Sequence, residues 1–491
     1  MIDLLILESI PAYVHLATAG EIAISESLLG KNVSFGFIRS RNPDASLTAR
    51  NQLHNISIKL RGMSEINLVS KLEKELINHQ IKIINTEEEP LNKSTLKDIQ
   101  DFVRGAPSKI DDLRLYTYKG ANLGLGVLSS LISRTGNSLC DPKDYPDLVN
   151  LYLESSAFVF EKAFSILNNY KPKKIISFNG RFACAKAIFE SAYILGIPHQ
   201  YHERGATFDK YEIYDKQPHN LPYIREEMKI YWETSTLYLD EKIAESKKYF
   251  EGRRSGDGIG WISFIDNQTR GMTPSDVDGR KIVYFSSSDD EYVAIEKKYL
   301  DSLRHSIFED QRHAVQALVD WVSNQEKTNL IIRVHPHLMK KSIEDRKWWT
   351  SLNGKNVNLI PPESPIDSYA LIDWSDLVVT YGSTMGIEAT YWGKPSISIG
   401  PANYSGFGCV YEPESIQDLF NLLEKTDLHK LSQDTCFVYG FYQMSFGIPY
   451  KYYKPETLFD GKFLDKEITV YPEWVDVLRN FSKKLRGRLK S

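Results

Sequence analysis

Short apolar runs rich in β-branched residues alternate along the chain with longer segments whose apolar residues recur at helical spacing. That alternation predicts strands joined by crossover helices, an α/β fold built on parallel sheets. In the first half the strand-like runs are Leu4–Leu7, Val33–Ile38, Ile81–Ile84, Lys174–Phe178 and His199–His202, and a helix is expected over Leu148–Leu167. From 251 to 279 the pattern gives way to Gly, Arg, Asp, Ser and Asn, after which Lys281–Phe285 opens a second series. That series continues with a helix at Ile307–Val322 and strands at Leu330–Val334, Val357–Ile360, Leu377–Thr380 and Ser396–Ile399. The expected organisation is a Rossmann-like domain over 1–250, a linker over 251–279, a second Rossmann-like domain over 280–440 and a terminal segment over 441–491 that crosses back. Two such domains enclose a cleft, and ligands of open parallel sheets bind beyond the carboxyl ends of the strands.

Charge removes one class of partner. With 60 Lys and Arg against 64 Asp and Glu, the formal net charge of −4 leaves no general positive field for nucleic acid. Four scattered cysteines argue against a disulfide framework or a cysteine zinc site, and fit a reducing cytoplasm. The first residues lack the pattern of a signal peptide, and no stretch approaches the ~18 apolar residues that crossing a bilayer requires. Only Pro472–Lys490 is unusual, a basic amphipathic helix that either packs on the core or touches the inner, anionic face of the cell membrane.

The strongest chemical signal follows the strand Leu377–Thr380. There Gly382, Ser383 and Thr384 stand where a helix begins, and Gly393 with Pro395 stops that helix after about three turns. Unpaired backbone N–H groups, two hydroxyls and the positive end of a helix dipole then share a strand's carboxyl end, a combination that binds anions. Glu388, early in that helix, is placed to reach ribose hydroxyls; the alternative is an ordinary capped helix with Glu388 in solvent. In Arg333-Val334-His335-Pro336-His337, period two puts Arg333, His335 and His337 on one side of a strand end. An anion is the expected partner; a metal pair or a structural histidine is the competing reading. Ser287 and Ser288, after the strand ending at Phe285, offer further donors. In the first half, Asn179 and Arg181 follow one strand and Arg204 another, while Glu203, and after it Glu8, are the carboxylates placed to act as a base. No metal site and no cofactor are called for: Asp276-Val277-Asp278 lies in the linker, and no dinucleotide fingerprint, Walker motif or Gly-x-Ser-x-Gly elbow is present.

Arg333-Val334-His335-Pro336, Tyr369, Ser375-Asp376, Tyr381-Gly382-Ser383-Thr384, Glu388 and Gly393-Lys394-Pro395 together resemble the nucleotide-binding half of GT-B glycosyltransferases. More narrowly, they are similar to the bacterial capsule and surface-polysaccharide group that includes sialyltransferases and Kdo transferases. The resemblance spans about 282–423. It implies that His335, Ser383 and Thr384 hold a sugar nucleotide's phosphate without a metal, with a CMP-sugar favoured over UDP- or GDP-sugars. The acceptor it implies is a growing surface polysaccharide, lipopolysaccharide or other lipid-linked glycan. Glu203-Arg204-Gly205 is the nearest match to the group's acidic-acidic-Gly base motif, with Arg204 in place of the second acid. A UDP-sugar 2-epimerase and a CDP-polyol phosphotransferase are the alternatives on the same fold.

Overall fold

The computed structural model describes all residues except 43–57, 88–89, 139, 257–266, 288–306, 341–342, 457–460 and 469–491. Ser288 and the basic segment 472–490 therefore lie outside the described residues. The strands, in chain order, are β1 (Leu4–Glu8), β2 (Val33–Phe37), β3 (Lys82–Ile83), β4 (Ile175–Phe178), β5 (His199–Arg204) and β6 (Lys210–Tyr214). They continue with β7 (Arg280–Phe285), β8 (Thr328–Arg333), β9 (Val357–Ile360), β10 (Leu377–Thr380) and β11 (Ser396–Ser398), then β12 (Ile448–Pro449), β13 (Tyr453–Pro455) and β14 (Gly461–Phe463).

Two compact units divide the chain: 1–135, 139–218 and 447–491 form the first, and 136–138 with 219–446 the second. These limits differ from the expected 250 and 279. Helices Leu221–Thr234 and Leu239–Ser255 belong to the second unit, where both pack on Phe437–Ser445. The chain returns to the first unit at Gly447, not at 441. Gly447 has φ +103°, and a Cβ there would lie 2.9 Å from the Tyr211 carbonyl oxygen and 3.0 Å from the Gly205 Cα. Only glycine fits that close approach.

The first unit's sheet runs β12-β6-β5-β4-β1-β2-β3. β1 to β5 are parallel, with β6 and β12 antiparallel at one edge. All five residues of β1 and all five of β2 are buried, as expected of strands covered by helices on both faces. Glu21, fully buried on helix Tyr13–Leu28, fixes the return segment by accepting the N–H groups of Lys451, Tyr452 and Tyr453 at 2.9, 2.7 and 2.9 Å.

The second unit's sheet, β11-β10-β7-β8-β9, is parallel throughout. Counted along each unit's own chain, both parallel sheets have the order 3-2-1-4-5. The α/β fold with two Rossmann-like units is thus as the sequence implied.

One buried acid in the first unit is set apart by its surroundings. Glu65 on helix Ile58–Asn78 is 6% exposed, and its Oε1 has no hydrogen-bond partner. Burial raises its carboxyl from 4.5 to about 7; Arg39 opposes the rise and Glu87 reinforces it. Because the folded state holds this proton more tightly than the unfolded chain, the associated stability is full below pH 4.5 and is lost as pH rises through 7. Glu65→Gln is expected to reduce the fall in stability between pH 5 and pH 8 by on the order of 2–3 kcal/mol, measured by thermal unfolding at both pH values.

Candidate functional site

In the second unit the strand order reverses between β7 and β10, the position at whose carboxyl ends open parallel sheets bind their ligands. β7 runs into Ser286 and Ser287, β10 into Tyr381, Gly382 and Ser383, and the neighbouring β8 into His335. Three of the sequence-predicted segments therefore meet at one end of one sheet.

The Ser286 hydroxyl accepts the His335 backbone N–H at 2.7 Å and ties the ends of β7 and β8 together. Ser287 is held through its backbone: its N–H donates to Gln311 Oε1 at 2.8 Å and its carbonyl accepts from Gln311 Nε2 at 3.2 Å. The Ser287 hydroxyl is buried with no partner, an orphaned donor at the strand end. Gly382, with φ +70°, takes the left-handed turn out of β10. The Ser383 carbonyl accepts from Tyr404 Oη at 2.5 Å and from the Gly386 N–H at 3.0 Å. Its hydroxyl lies 3.4 Å from the Met385 N–H, a long contact, and Thr384 makes no side-chain cap bond.

His335 is half-buried. Its Nδ1 accepts the His337 N–H at 3.1 Å, so the ring proton sits on Nε2. Burial first, then the positive charges of His337, Arg333 and Arg253, lower its pKa to about 4. At neutral pH it is an uncharged N–H donor.

Several expectations change. The helix after Ser383 spans only Met385–Tyr391, two turns instead of three: Thr384 is its N-cap and Trp392 its C-cap, with Gly393 at φ +75° just beyond. β8 ends at Arg333, and a 3-10 turn over Pro336–Lys340 breaks the alternation, so His337 does not continue the strand face. Arg333 is 2% exposed and spends its terminal nitrogens on the carbonyls of Pro361, at 2.7 Å, and Ser364, at 3.2 Å. It anchors the loop after β9 and is not a cation offered to a ligand; burial lowers its pKa to about 10. Glu388 does not face a ribose. It is fully buried, one oxygen accepting Arg253 Nε at 3.0 Å and the other the Tyr369 hydroxyl. The protein's own side chains consume both acceptors.

Two features escaped the sequence reading. Arg253, assigned there to the linker, ends the helix Leu239–Ser255, and Glu388 raises its pKa well above the ordinary value. The polarity change at 251 hid it. The second is a cavity of about 250 Å³, mostly apolar, beside the ends of β8 and β9, bounded by Val334, Leu338, Leu359, Pro361 and Glu363. The paired prolines after Ile360 were its only sequence signal.

The first unit reverses strand order between β1 and β4. Asn179, in the left-handed region at φ +53°, donates from Nδ2 to Glu203 Oε2 at 2.6 Å, and the Arg204 N–H donates to Glu203 Oε1 at 3.0 Å. Glu203 is thereby a half-buried, oriented carboxylate. The Arg181 guanidinium lies 4.7 Å from the centre of the Phe182 ring. His15 stacks on Phe178 at 3.6 Å, and burial, then Arg204 and His202, push its pKa well below the ordinary value. Glu8 cannot serve as the open base that the sequence suggested: it is 1% exposed and bonded to buried His202 Nε2 at 2.7 Å. Desolvation raises its pKa. Among the described residues no cluster of metal-ligating side chains occurs, and no helix is long and apolar enough to cross a membrane.

Residues 287–442 match the family described as "Capsule polysaccharide biosynthesis protein", in agreement with the resemblance read from 282–423. No curated protein matches the chain. Among solved structures, the beta Kdo 2,4 transferase KpsC of Thermosulfurimonas dismutans is 14% identical, with a TM-score of 0.35, over 54% of this chain and 78% of that one. The UDP-GlcNAc 2-epimerase of Neisseria meningitidis bound to UDP-GlcNAc is 11% identical, with a TM-score of 0.27, over 92% and 96%. The glycosyltransferase SnogD of Streptomyces nogalater is 12% identical, with a TM-score of 0.25, over 90% and 96%.

Proposed function

We propose, from the capsule-biosynthesis match over 287–442 and the donors gathered at the β7 and β10 switch point, that this chain is a glycosyltransferase. It moves a sugar from a nucleotide-activated donor, a CMP-sugar in preference to a UDP- or GDP-sugar, to a growing surface polysaccharide or lipid-linked glycan. The observation that carries the reading is that the neutral His335 imidazole, the orphaned Ser287 hydroxyl and the Ser383 turn follow three adjacent strands at the same end of one sheet.

As the sugar C–O bond breaks, negative charge grows on the leaving phosphate. Donors already fixed in place stabilise that charge without reorganising. His335 Nε2–H and the hydroxyls of Ser287, Ser383 and Thr384 are those donors. The apolar cavity bounded by Val334, Leu338 and Pro361 suits a flat base, with Glu363 at its edge for ribose hydroxyls. In the first unit Glu203, oriented by Asn179, takes the acceptor hydroxyl's proton. The basic segment 472–490 is proposed to hold the protein on an anionic inner-membrane surface.

Incubating the purified chain with CMP-, UDP-, GDP- and CDP-activated donors, with and without a lipid-linked acceptor, tests the assignment. Acceptor-dependent release of free nucleotide is expected. Acceptor-independent isomerisation of the donor, or transfer of a phosphorylated polyol, would overturn it.

A further inference from the structure

We propose that Arg253 is the arginine that grips the donor's phosphate, its guanidinium locked through Nε by buried Glu388 so that its terminal N–H groups are presented beside His335. The inference rests on the donor-site reading above and adds to it a residue that no motif marks.

The geometry of the Arg253–Glu388 pair departs from what a purely structural ion pair adopts. Arginine and carboxylate ordinarily meet fork to fork, with two parallel bonds. Here Glu388 is fully buried and gives one oxygen to Arg253 Nε and the other to the Tyr369 hydroxyl, so the pair is joined by a single arginine N–H and not by two. Among the described residues neither terminal nitrogen of Arg253 has a hydrogen-bond partner, and the side chain remains 29% exposed. The adjacent Arg254 shows the contrast: it bonds both oxygens of Asp373 and stacks 4.4 Å from the centre of the Trp392 ring. Arg253 also lies over a ring, 5.7 Å from the centre of Tyr249, but its one hydrogen bond among the described residues is through Nε.

Location completes the argument. Glu388 lies in the first turn of the helix that follows Ser383, so the carboxylate that aims Arg253 is built into the element expected to meet the phosphate. Arg253 is also within electrostatic reach of His335. Burial is the first cause of that imidazole's lowered pKa, and the guanidinium cations of Arg333 and Arg253 act in the same direction. Such a pocket attracts an anion, and a guanidinium with two terminal N–H pairs matches phosphate oxygens in geometry as well as charge.

The test is calorimetric titration of the full-length protein with CMP, CDP, UDP and GDP and with cytidine, uridine and guanosine. The variants are Arg253→Lys, which keeps the charge but loses the fork, and the double variant Arg253→Gln/Glu388→Gln, which leaves no buried charge unpaired. Thermal unfolding of both verifies that they fold. For the nucleotide that binds, both variants should weaken affinity about 10- to 100-fold, with the matching nucleoside changed by less than about 3-fold. Unchanged nucleotide affinity, or equal weakening of nucleotide and nucleoside, overturns the role of Arg253. If His335→Ala loses binding while the Arg253 variants keep it, this inference falls and the donor site stands. If wild type binds no nucleotide, both fall.

Discussion

Replacing His335 by alanine is expected to lower turnover by about 10²-fold or more, while the protein stays folded. The size follows from removing one preorganised donor at a centre where charge develops in the transition state. Folding should survive because the ring is half-buried, and because the backbone N–H that Ser286 accepts is retained by alanine. Ser383→Ala should act in the same direction. The pH profile adds a second readout. With a pKa of about 4, His335 is neutral throughout the range from pH 5.5 to 8, so it should contribute no inflection near 6.5 in the free enzyme. A bound phosphate favours the protonated form and should raise that pKa, visible as a shift in the imidazole ¹⁵N resonances on adding nucleotide. Steady-state rates with the donor found active, in wild type and His335→Ala, decide the matter. Near-normal rates would remove the phosphate role.

The largest effect on stability is expected at Glu21. Substitution by leucine removes the acceptor of three backbone N–H groups, leaving the buried Tyr453 donor and the half-buried Tyr452 donor unpaired, while that of exposed Lys451 can turn to water. A buried unpaired donor costs about 1–3 kcal/mol and one open to water less, so a total loss of about 2–4 kcal/mol is expected. Glu21→Gln should lose less, because its amide oxygen still accepts. Denaturant unfolding of both variants measures the difference. A loss below about 1 kcal/mol for Glu21→Leu would mean that the return segment is held chiefly by the packing of Tyr453 and Phe463 in the core.

The strands were legible where burial on both faces makes them continuous apolar runs. Val357–Ile360 and Leu377–Thr380 are found at the limits their composition marks, and β7 differs by one residue. The site's main parts were legible for a related reason. In a parallel sheet the motif that follows each strand is brought to the carboxyl end, so His335, Ser287 and Ser383 had to converge once the strands were right. What escaped were partnerships made by the tertiary fold. Glu388 looks like a ligand contact in sequence, because nothing local shows that its partner lies 135 residues earlier on another helix. Arg333 reads as an available cation for the same reason, its acceptors being carbonyls of a loop beyond the next strand. β6, with Lys210 and Glu212 among its five residues, lacks an apolar run, and it is paired by a segment from the far end of the chain. The division at 218 was hidden because Leu221–Thr234 has the amphipathic pattern of any surface helix; its partner, Phe437–Ser445, is distant in sequence.

The most direct measurement is a crystal structure of the full-length protein soaked with CMP or UDP. The nucleotide's phosphate should lie within hydrogen-bond distance of His335 Nε2 and the Ser383 turn, with the base against Val334 and Pro361. Clear density for the nucleotide elsewhere, with water or protein atoms filling the space at the carboxyl ends of β7 and β10, would contradict the central claim.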